Sequence, residues 1–368
     1  MLARAHALEA AGRRVVHMEI GEPDFTAPAP VVEAGLRALR DGKTAYTPTL
    51  GIGALREAIS GFYAKKFKAK ADPARIAITA GASGGLLTTA ALYVNPGDEI
   101  LVPDPGYPGY RHFVRAFEGV ARALPVGPAS AFQPTLEGVR AAWGPRTKGL
   151  LLGSPSNPTG TLIEGSVLES IARFVAEQGG VLIVDEIYQG LVYGTRPVTA
   201  LGLPGEVVIV NSFSKYFCMT GWRLGWVVLP AGAVRGFEKL AQHLFISAPS
   251  AAQHAALAAF SAESISILES RRLEFAQRRD FLVPALRRAG LDVAAEPHGA
   301  FYVYAGCGAD SKAFCLELLE REGVATTPGI DFGANATDRF VRFAYTRPLA
   351  ELEEAAGKIR RFASSAAL

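Results

Sequence analysis

A chain of 368 residues, 49% hydrophobic with 39 Gly and 23 Pro, is long enough for one large and one smaller core and is neither disordered nor fibrous in composition. Its 38 basic and 35 acidic residues nearly cancel, leaving a formal +3 with no charged tail, which excludes the electrostatic footprint of a nucleic-acid binder. No apolar run reaches the roughly 20 residues that span a bilayer, the start lacks the apolar stretch of a signal peptide, and the scattered Cys218, Cys307 and Cys315 offer neither a disulfide framework nor a metal-ligand pair; a cytoplasmic protein acting on small molecules is expected.

In chain order, the first 40 residues hold one helix-like stretch before "MEIGEPDF" and a second in "APVVEAGLRALRDG", with no strand pattern of the parallel kind, and are expected to pack on the C-terminal part. From Arg75 onward short apolar runs alternate with helical stretches: "RIAITAG", "EILVPDP", "GLLLGSP", "VLIVDEIY", "VVIVNSF" and "LGWVVLP". These runs are continuously apolar, so they predict strands covered on both faces, as in a mostly parallel sheet between helices. After Ser261 come a long charged helix, "ESISILESRRLEFAQRRDFLVPALRRAG", the strand-like "GAFYVYAG", a helix through "SKAFCLELLEREG", and "DRFVRFAYT". The expected division is a large domain over 40–265 and a smaller α+β domain from 1–39 and 266–368. No repeat, low-complexity segment or flexible linker interrupts it.

Ligands of open parallel sheets sit beyond the carboxyl ends of the strands, so polar residues there are the first candidates. They are Asn157 in "SPSNPTG", Asp185 and Tyr188 in "VLIVDEIY", Ser212, Ser214 and Lys215 in "VVIVNSFSK", and the small-residue turn "AGASGGL" with Gly81, Ala82 and Ser83. A lone Asp after an apolar strand is more often a cap or a buried ion pair, and a lone Lys a surface residue. Together with hydroxyls, a small-residue helix start and Arg223, however, they supply enough donors for a phosphate dianion. The turn matches neither the phosphate-loop nor the dinucleotide spacing, which points to another phosphorylated cofactor. His112, His243, His254 and His298 have no metal-ligand spacing, and no metal is expected.

The ordered set "IGEPDF", "YTPTLGIGALREAI", "AGASGGL", "SPSNPTG", "VDEIY", "SFSKYFCMTGWRLGW" and "RFAY" resembles the class I/II aminotransferases, pyridoxal-phosphate enzymes of fold type I, across about residues 15–350. The resemblance implies an α/β fold with a mostly parallel seven-stranded sheet in the large domain. It implies that Lys215 forms a Schiff base with pyridoxal 5'-phosphate, that Asp185 pairs with the pyridinium nitrogen, and that Tyr188 and Asn157 bind the ring 3-oxygen. The phosphate would be held by the amides at Gly81, Ala82 and Ser83, by Ser212, Ser214 and Arg223, and by Tyr46 of a second subunit in a homodimer. Tyr107 would stack on the ring, and Arg342, with Gly21 and Asn157, would hold the substrate carboxylate.

The implied reaction is ping-pong transfer of an amino group from an L-amino acid to a 2-oxo acid, with 2-oxoglutarate as one acceptor. A carbon–sulfur lyase on the same fold would release pyruvate and ammonia without any 2-oxo acid. A non-catalytic binding module of a transcription regulator would carry an added DNA-binding domain, for which the sequence leaves no room ahead of the motifs. Ser83 and His243 stand where dicarboxylate-specific relatives carry Lys or Arg, which argues against strict aspartate specificity; Arg111 lies near the expected ring site.

Overall fold

The computed structural model describes residues 1–308 and 310–366. Helix α1 (Leu2–Ala10) and the short strand β1 (Val16–His17) lead into α2 (Ala29–Arg40). Pro30 sits in the first turn of α2, where a missing N–H costs nothing, and Arg37 and Arg40 close its last turn, where the helix dipole favours cations. After α3 (Gly53–Phe62) come β2 (Ile76–Thr79), α4 (Gly81–Tyr93), β3 (Glu99–Asp104), α5 (Gly109–Arg115), β4 (Val120–Pro125) and α6 (Leu136–Ala142). The alternation continues with β5 (Thr147–Gly153), α7 (Gly165–Glu177), β6 (Val181–Asp185), β7 (Glu206–Ser212), β8 (Gly225–Val228), α8 (Val234–Phe245) and α9 (Ser250–Ala256). The long α10 (Ala262–Arg288) is capped by the Ser261 hydroxyl, which accepts from the Ser264 amide at 3.1 Å. Last come β9 (Tyr302–Gly306), α11 (Ser311–Glu322), β10 (Val324–Ala325), β11 (Thr327–Pro328), β12 (Phe340–Ala344) and α12 (Leu349–Ala366).

Seven strands form one sheet in the order β2-β8-β7-β6-β5-β3-β4. Only β8 runs against its neighbours, β2 and β7. Successive residues of the central strands enter different cores. Leu150, Leu182 and Trp226 face one apolar cluster, and Leu151, Ile183 and Val227 face the other. This explains why the sequence shows unbroken apolar runs rather than alternation. β4 has no such run: most of "VARALP" is exposed or half-exposed at the sheet edge, so it is a strand the sequence pattern did not offer.

A second, antiparallel sheet orders β11-β12-β9, and β1 pairs with β10 in parallel. β1 thus joins the C-terminal elements, whereas α2 leans on α9, with Gly35 against Trp222 and Ala255. Among the described residues no helix is long and apolar enough to cross a membrane, and no group of His, Cys, Asp and Glu is placed to hold a metal ion.

The closeness of β5 to β6 depends on Gly149, where a Cβ would lie 2.4 Å from the Val181 carbonyl oxygen. Gly149→Ala is therefore expected to lower the unfolding free energy by about 1–3 kcal/mol. In urea titrations this appears as a lower midpoint at unchanged slope.

Candidate active site

A cavity of about 330 Å³ opens at the carboxyl edge of the large sheet. Its deepest amine, Lys215, lies on the turn between β7 and β8. The Ser212 hydroxyl accepts from the Ser214 amide at 3.0 Å, and the turn is tied by Phe213 N–H to the Leu224 carbonyl and Met219 N–H to the Phe213 carbonyl, each at 3.0 Å. These bonds hold two non-glycine residues, Cys218 and Arg223, in the left-handed region at φ +53°. Each such residue costs about 1–2 kcal/mol, so the turn keeps a shape that local preference opposes. It directs Lys215 Nζ inward, where the amine donates to the Gly21 carbonyl at 2.6 Å.

Burial pushes the Lys215 amine down to about 8; Arg342 and Arg223 push the same way, while Glu22 and Asp185 oppose it. Asp185, the last residue of β6, is 4% exposed. Burial raises its carboxyl to about 6, although the Tyr110 hydroxyl donates to Oδ2 at 2.9 Å and the Ile187 amide to Oδ1 at 3.1 Å. Burial thus moves both groups toward their neutral forms relative to solution, while near pH 7 the amine at about 8 and the carboxyl at about 6 stay mainly charged. A cation set against Asp185 would reverse the shift for the carboxylate.

One wall is built for an anion. The N-terminus of α4 presents the unpaired amides of its first turn beside Ser214 and Arg223. Two glycines permit this approach: a Cβ on Gly81 (φ +71°) would fall 2.7 Å from Arg223 Nη2, and one on Gly225 would fall 2.8 Å from the Ala82 amide. Arg223 is steadied by a 2.8 Å bond from Nη1 to the Thr220 carbonyl.

The opposite wall carries Arg342, from the middle of β12. Nη1 donates to Asn157 Oδ1 at 3.0 Å and Nη2 to the Glu19 carbonyl at 2.7 Å, and the guanidinium lies 4.4 Å from the ring centre of Tyr302 and 4.9 Å from that of Phe332. Its Nε is buried without a hydrogen-bond partner. The Tyr188 and Tyr302 hydroxyls are bonded at 2.7 Å.

Most of the residues expected from the sequence meet in this cavity: Gly21, Ala82, Ser83, Tyr107, Asn157, Asp185, Tyr188, Ser214, Lys215, Arg223 and Arg342 line it. Gly81 stands behind Arg223 rather than in the lining, and Ser212 turns its hydroxyl to Ser214 and the Leu224 carbonyl. Tyr46 is 78% exposed and outside the cavity of its own chain. His243 is exposed and also outside, and Arg111 donates to the Asp331 carbonyl at 2.9 Å. Tyr110 and Tyr302 were not singled out from the sequence. The only signal for Tyr110 was the second tyrosine of "GYPGY"; Tyr302 was hidden in "GAFYVYAG", which read simply as a strand. The donor set fits the cofactor that the resemblance implies: an anion cradle, a buried carboxylate for a ring nitrogen, and an amine that can be neutral near physiological pH.

Comparison with known proteins agrees. The family profile described as Aminotransferase class I and II matches residues 13–359. A (5-formylfuran-3-yl)methyl phosphate transaminase of Methanocaldococcus jannaschii is 39% identical over 98% of this chain and 95% of its own length. A valine–pyruvate aminotransferase of Mycobacterium tuberculosis is 38% identical over 94% and 90%. The crystal structure of an aminotransferase from Mycobacterium tuberculosis superposes with a TM-score of 0.94 at 36% identity, covering 99% of this chain and 95% of that one.

The depressed amine gives a direct expectation. In cofactor-free protein, reductive methylation of Lys215, followed by peptide mass spectrometry, should reach half its maximal rate near pH 8. A midpoint at the ordinary lysine value of 10.5 would contradict the burial argument.

Proposed function

The chain belongs to the class I and II aminotransferases, transferases of nitrogenous groups that use pyridoxal phosphate, and on that premise we propose how its residues divide the work. The observation that carries the reading is the convergence of Lys215, Asp185 and Arg342 on one cavity whose far wall is an anion cradle. Ser214, Arg223 and the first amides of α4, at Ala82 and Ser83, take the cofactor's phosphate, with Gly81 allowing the close approach of Arg223 and Ser212 orienting Ser214. Asp185 faces the ring nitrogen, Asn157 and Tyr188 the ring 3-oxygen, and Tyr107 a face of the ring. When bound, the cofactor's ring accepts the electron pair released as the substrate Cα–H bond breaks.

Lys215 Nζ then takes the proton from Cα. Burial and two neighbouring guanidinium groups favour its neutral, basic form, and the Gly21 carbonyl at 2.6 Å orients it. Arg342 holds the substrate α-carboxylate through its guanidinium, which Asn157 and the Glu19 carbonyl keep in place. Two half-reactions of this kind, the second on a 2-oxo acid such as 2-oxoglutarate, make the turnover ping-pong.

Among the described residues that line the cavity, the cations are Lys215, Arg223 and Arg342, each already employed. Within one chain no further cation is left for a side-chain carboxylate, so donors with uncharged side chains are favoured unless the neighbouring copy supplies one. We further take residues 40–265 as the cofactor-binding domain and 1–39 with 266–368 as the smaller one. The active unit is a homodimer in which the exposed Tyr46 reaches the neighbouring phosphate site. The buried thiols Cys218 and Cys315 suit a reducing cytoplasm, and the amino-group transfer itself suits a place in amino-acid metabolism.

The test is a panel of L-amino acids with 2-oxoglutarate, read as glutamate formed. Uncharged donors should outpace aspartate; pyruvate and ammonia appearing without any 2-oxo acid would point to a lyase instead. Lys215→Ala should keep the fold and hold the cofactor without its imine absorbance, and lose at least about 10³-fold in kcat. Turnover close to that of the unaltered enzyme would place the base elsewhere. Arg342→Lys, which loses the planar fork, should raise KM for every donor by about tenfold or more.

A further inference from the structure

His17, at the end of β1, has carboxylates on both ring nitrogens. Nδ1 stands 2.7 Å from Glu19 Oε1, and Nε2 stands 3.0 Å from Glu9 Oε1 on α1. The His17 and Glu19 side chains are 10% and 6% exposed, and that of Glu9 is 41% exposed. A neutral imidazole carries a single N–H and can donate to only one of these oxygens, whereas the imidazolium donates to both. The other charged or titratable neighbours are His6 of α1, with ring centroids 6.0 Å apart, and Arg347 beyond β12, whose Nε donates to the His17 carbonyl at 3.3 Å. The paired strand β10 brings only Val324 and Ala325.

From His17 the chain runs straight into the active site. The Glu19 carbonyl accepts from Arg342 Nη2 at 2.7 Å and the Gly21 carbonyl from Lys215 Nζ at 2.6 Å. Glu19 Oε2 is buried with no hydrogen-bond partner, so the bond to His17 is the one polar restraint given to that carboxylate among the described residues. The residue that fixes Arg342 through its backbone is thus itself fixed through its side chain by the histidine.

We propose that His17, as the imidazolium, is a positioning residue for the substrate carboxylate: it ties Glu19 to α1, Glu19 sets the place of Arg342, and carboxylate affinity falls when His17 loses its proton. The proposal rests on Arg342 being the carboxylate anchor. Burial works to lower the affinity of His17 for its proton, but the bonds from Glu19 and Glu9 outweigh it, and the net shift is upward from 6.5. A raised value means that the bridge is complete below about pH 6.5 and is lost as pH rises through the higher folded value. Above it, the tautomer that keeps Nδ1–H on the buried Glu19 gives up Glu9, and the Glu19 carboxylate faces a neutral ring.

The experiment uses the cofactor-loaded enzyme and calorimetric binding of propanoate, a monocarboxylate that cannot be transaminated, from about pH 6 to about pH 9. The unaltered enzyme should lose about fivefold or more in affinity through the His17 step, on top of any dependence due to Lys215. In His17→Gln that step should vanish, with weakened binding already at the acid end and an effect on amino-acid KM larger than on kcat. Glu9→Gln, an exposed change that leaves Glu19 in place, should move the step to lower pH. If His17→Gln lowers the melting temperature while its affinity–pH curve overlays that of the unaltered enzyme, the proposal is overturned and the bridge is only structural. Arg342→Leu separates the two levels: it should abolish binding at every pH, and retained binding would remove the carboxylate anchor itself, a failure distinct from that of His17.

Discussion

Six strands of the large sheet share one direction and β8 opposes them, and that single reversal brings both ends of the Phe213–Leu224 turn to the same edge. A parallel strand would begin at the far edge and carry the residues before it away from the cavity. Because β8 begins where the others end, Arg223, two residues before it, lies beside the start of α4, and Lys215, just past β7, lies at the same crevice. The left-handed backbone at Cys218 and Arg223 is the strain of reversing within so few residues. Buried aromatics beneath the turn, Phe213 and Phe217 against Trp226, make it rigid enough to keep that strain.

On this mount the electrostatics follow from distribution of charge. Three cations border a cavity whose floor carries one buried carboxylate, and each cation is fixed by neutral oxygens: the Gly21 carbonyl for Lys215, the Thr220 carbonyl for Arg223, and Asn157 with the Glu19 carbonyl for Arg342. Neutral acceptors orient a cation without cancelling its charge, so the cavity keeps a positive potential for anionic partners. Lys215 yields first because an amine can shed its proton and a guanidinium cannot. The same positive surroundings that suit anionic ligands therefore also help lower the proton affinity of Lys215.

The sequence made the central strands and most of the site legible for one physical reason: strands covered on both faces must be apolar throughout, so a polar residue just past their ends stands out. β4 failed this test because an edge strand is not covered; "VARALP" is mixed in polarity, as its exposure allows. Tyr110 and Tyr302 were hidden for another reason. Their partners, Asp185 and Tyr188, lie 75 and 114 residues away, and only the tertiary fold brings α5 and β9 within hydrogen-bond reach of the end of β6 and the turn after it. His17 has acids two residues ahead and eight behind, a spacing that means nothing until α1 folds back along β1. Family resemblance named Tyr46, yet a single chain leaves it in solvent, since its expected partner belongs to another copy.

The segment from Met18 to Gly21 shows how a stretch without regular structure can govern a site. Four successive carbonyls are each engaged: Met18 by the Ala344 amide, Glu19 by Arg342, Ile20 by the Thr346 hydroxyl, and Gly21 by Lys215. Three of these donors come from β12 and the turn after it, and the fourth from the β7–β8 turn, so the segment is the shared backbone between the two sheets. Gly21 has no alternative at its position, because a Cβ would stand 2.2 Å from the Tyr302 hydroxyl oxygen. That hydroxyl in turn bonds Tyr188, and the Tyr302 ring supports Arg342. A displacement of this segment by a few tenths of an ångström is therefore felt at the amine and at the guanidinium together. On the roles proposed for Arg342 and Lys215, substrate carboxylate and proton transfer would be coupled through main-chain oxygens that a scan for reactive side chains cannot see.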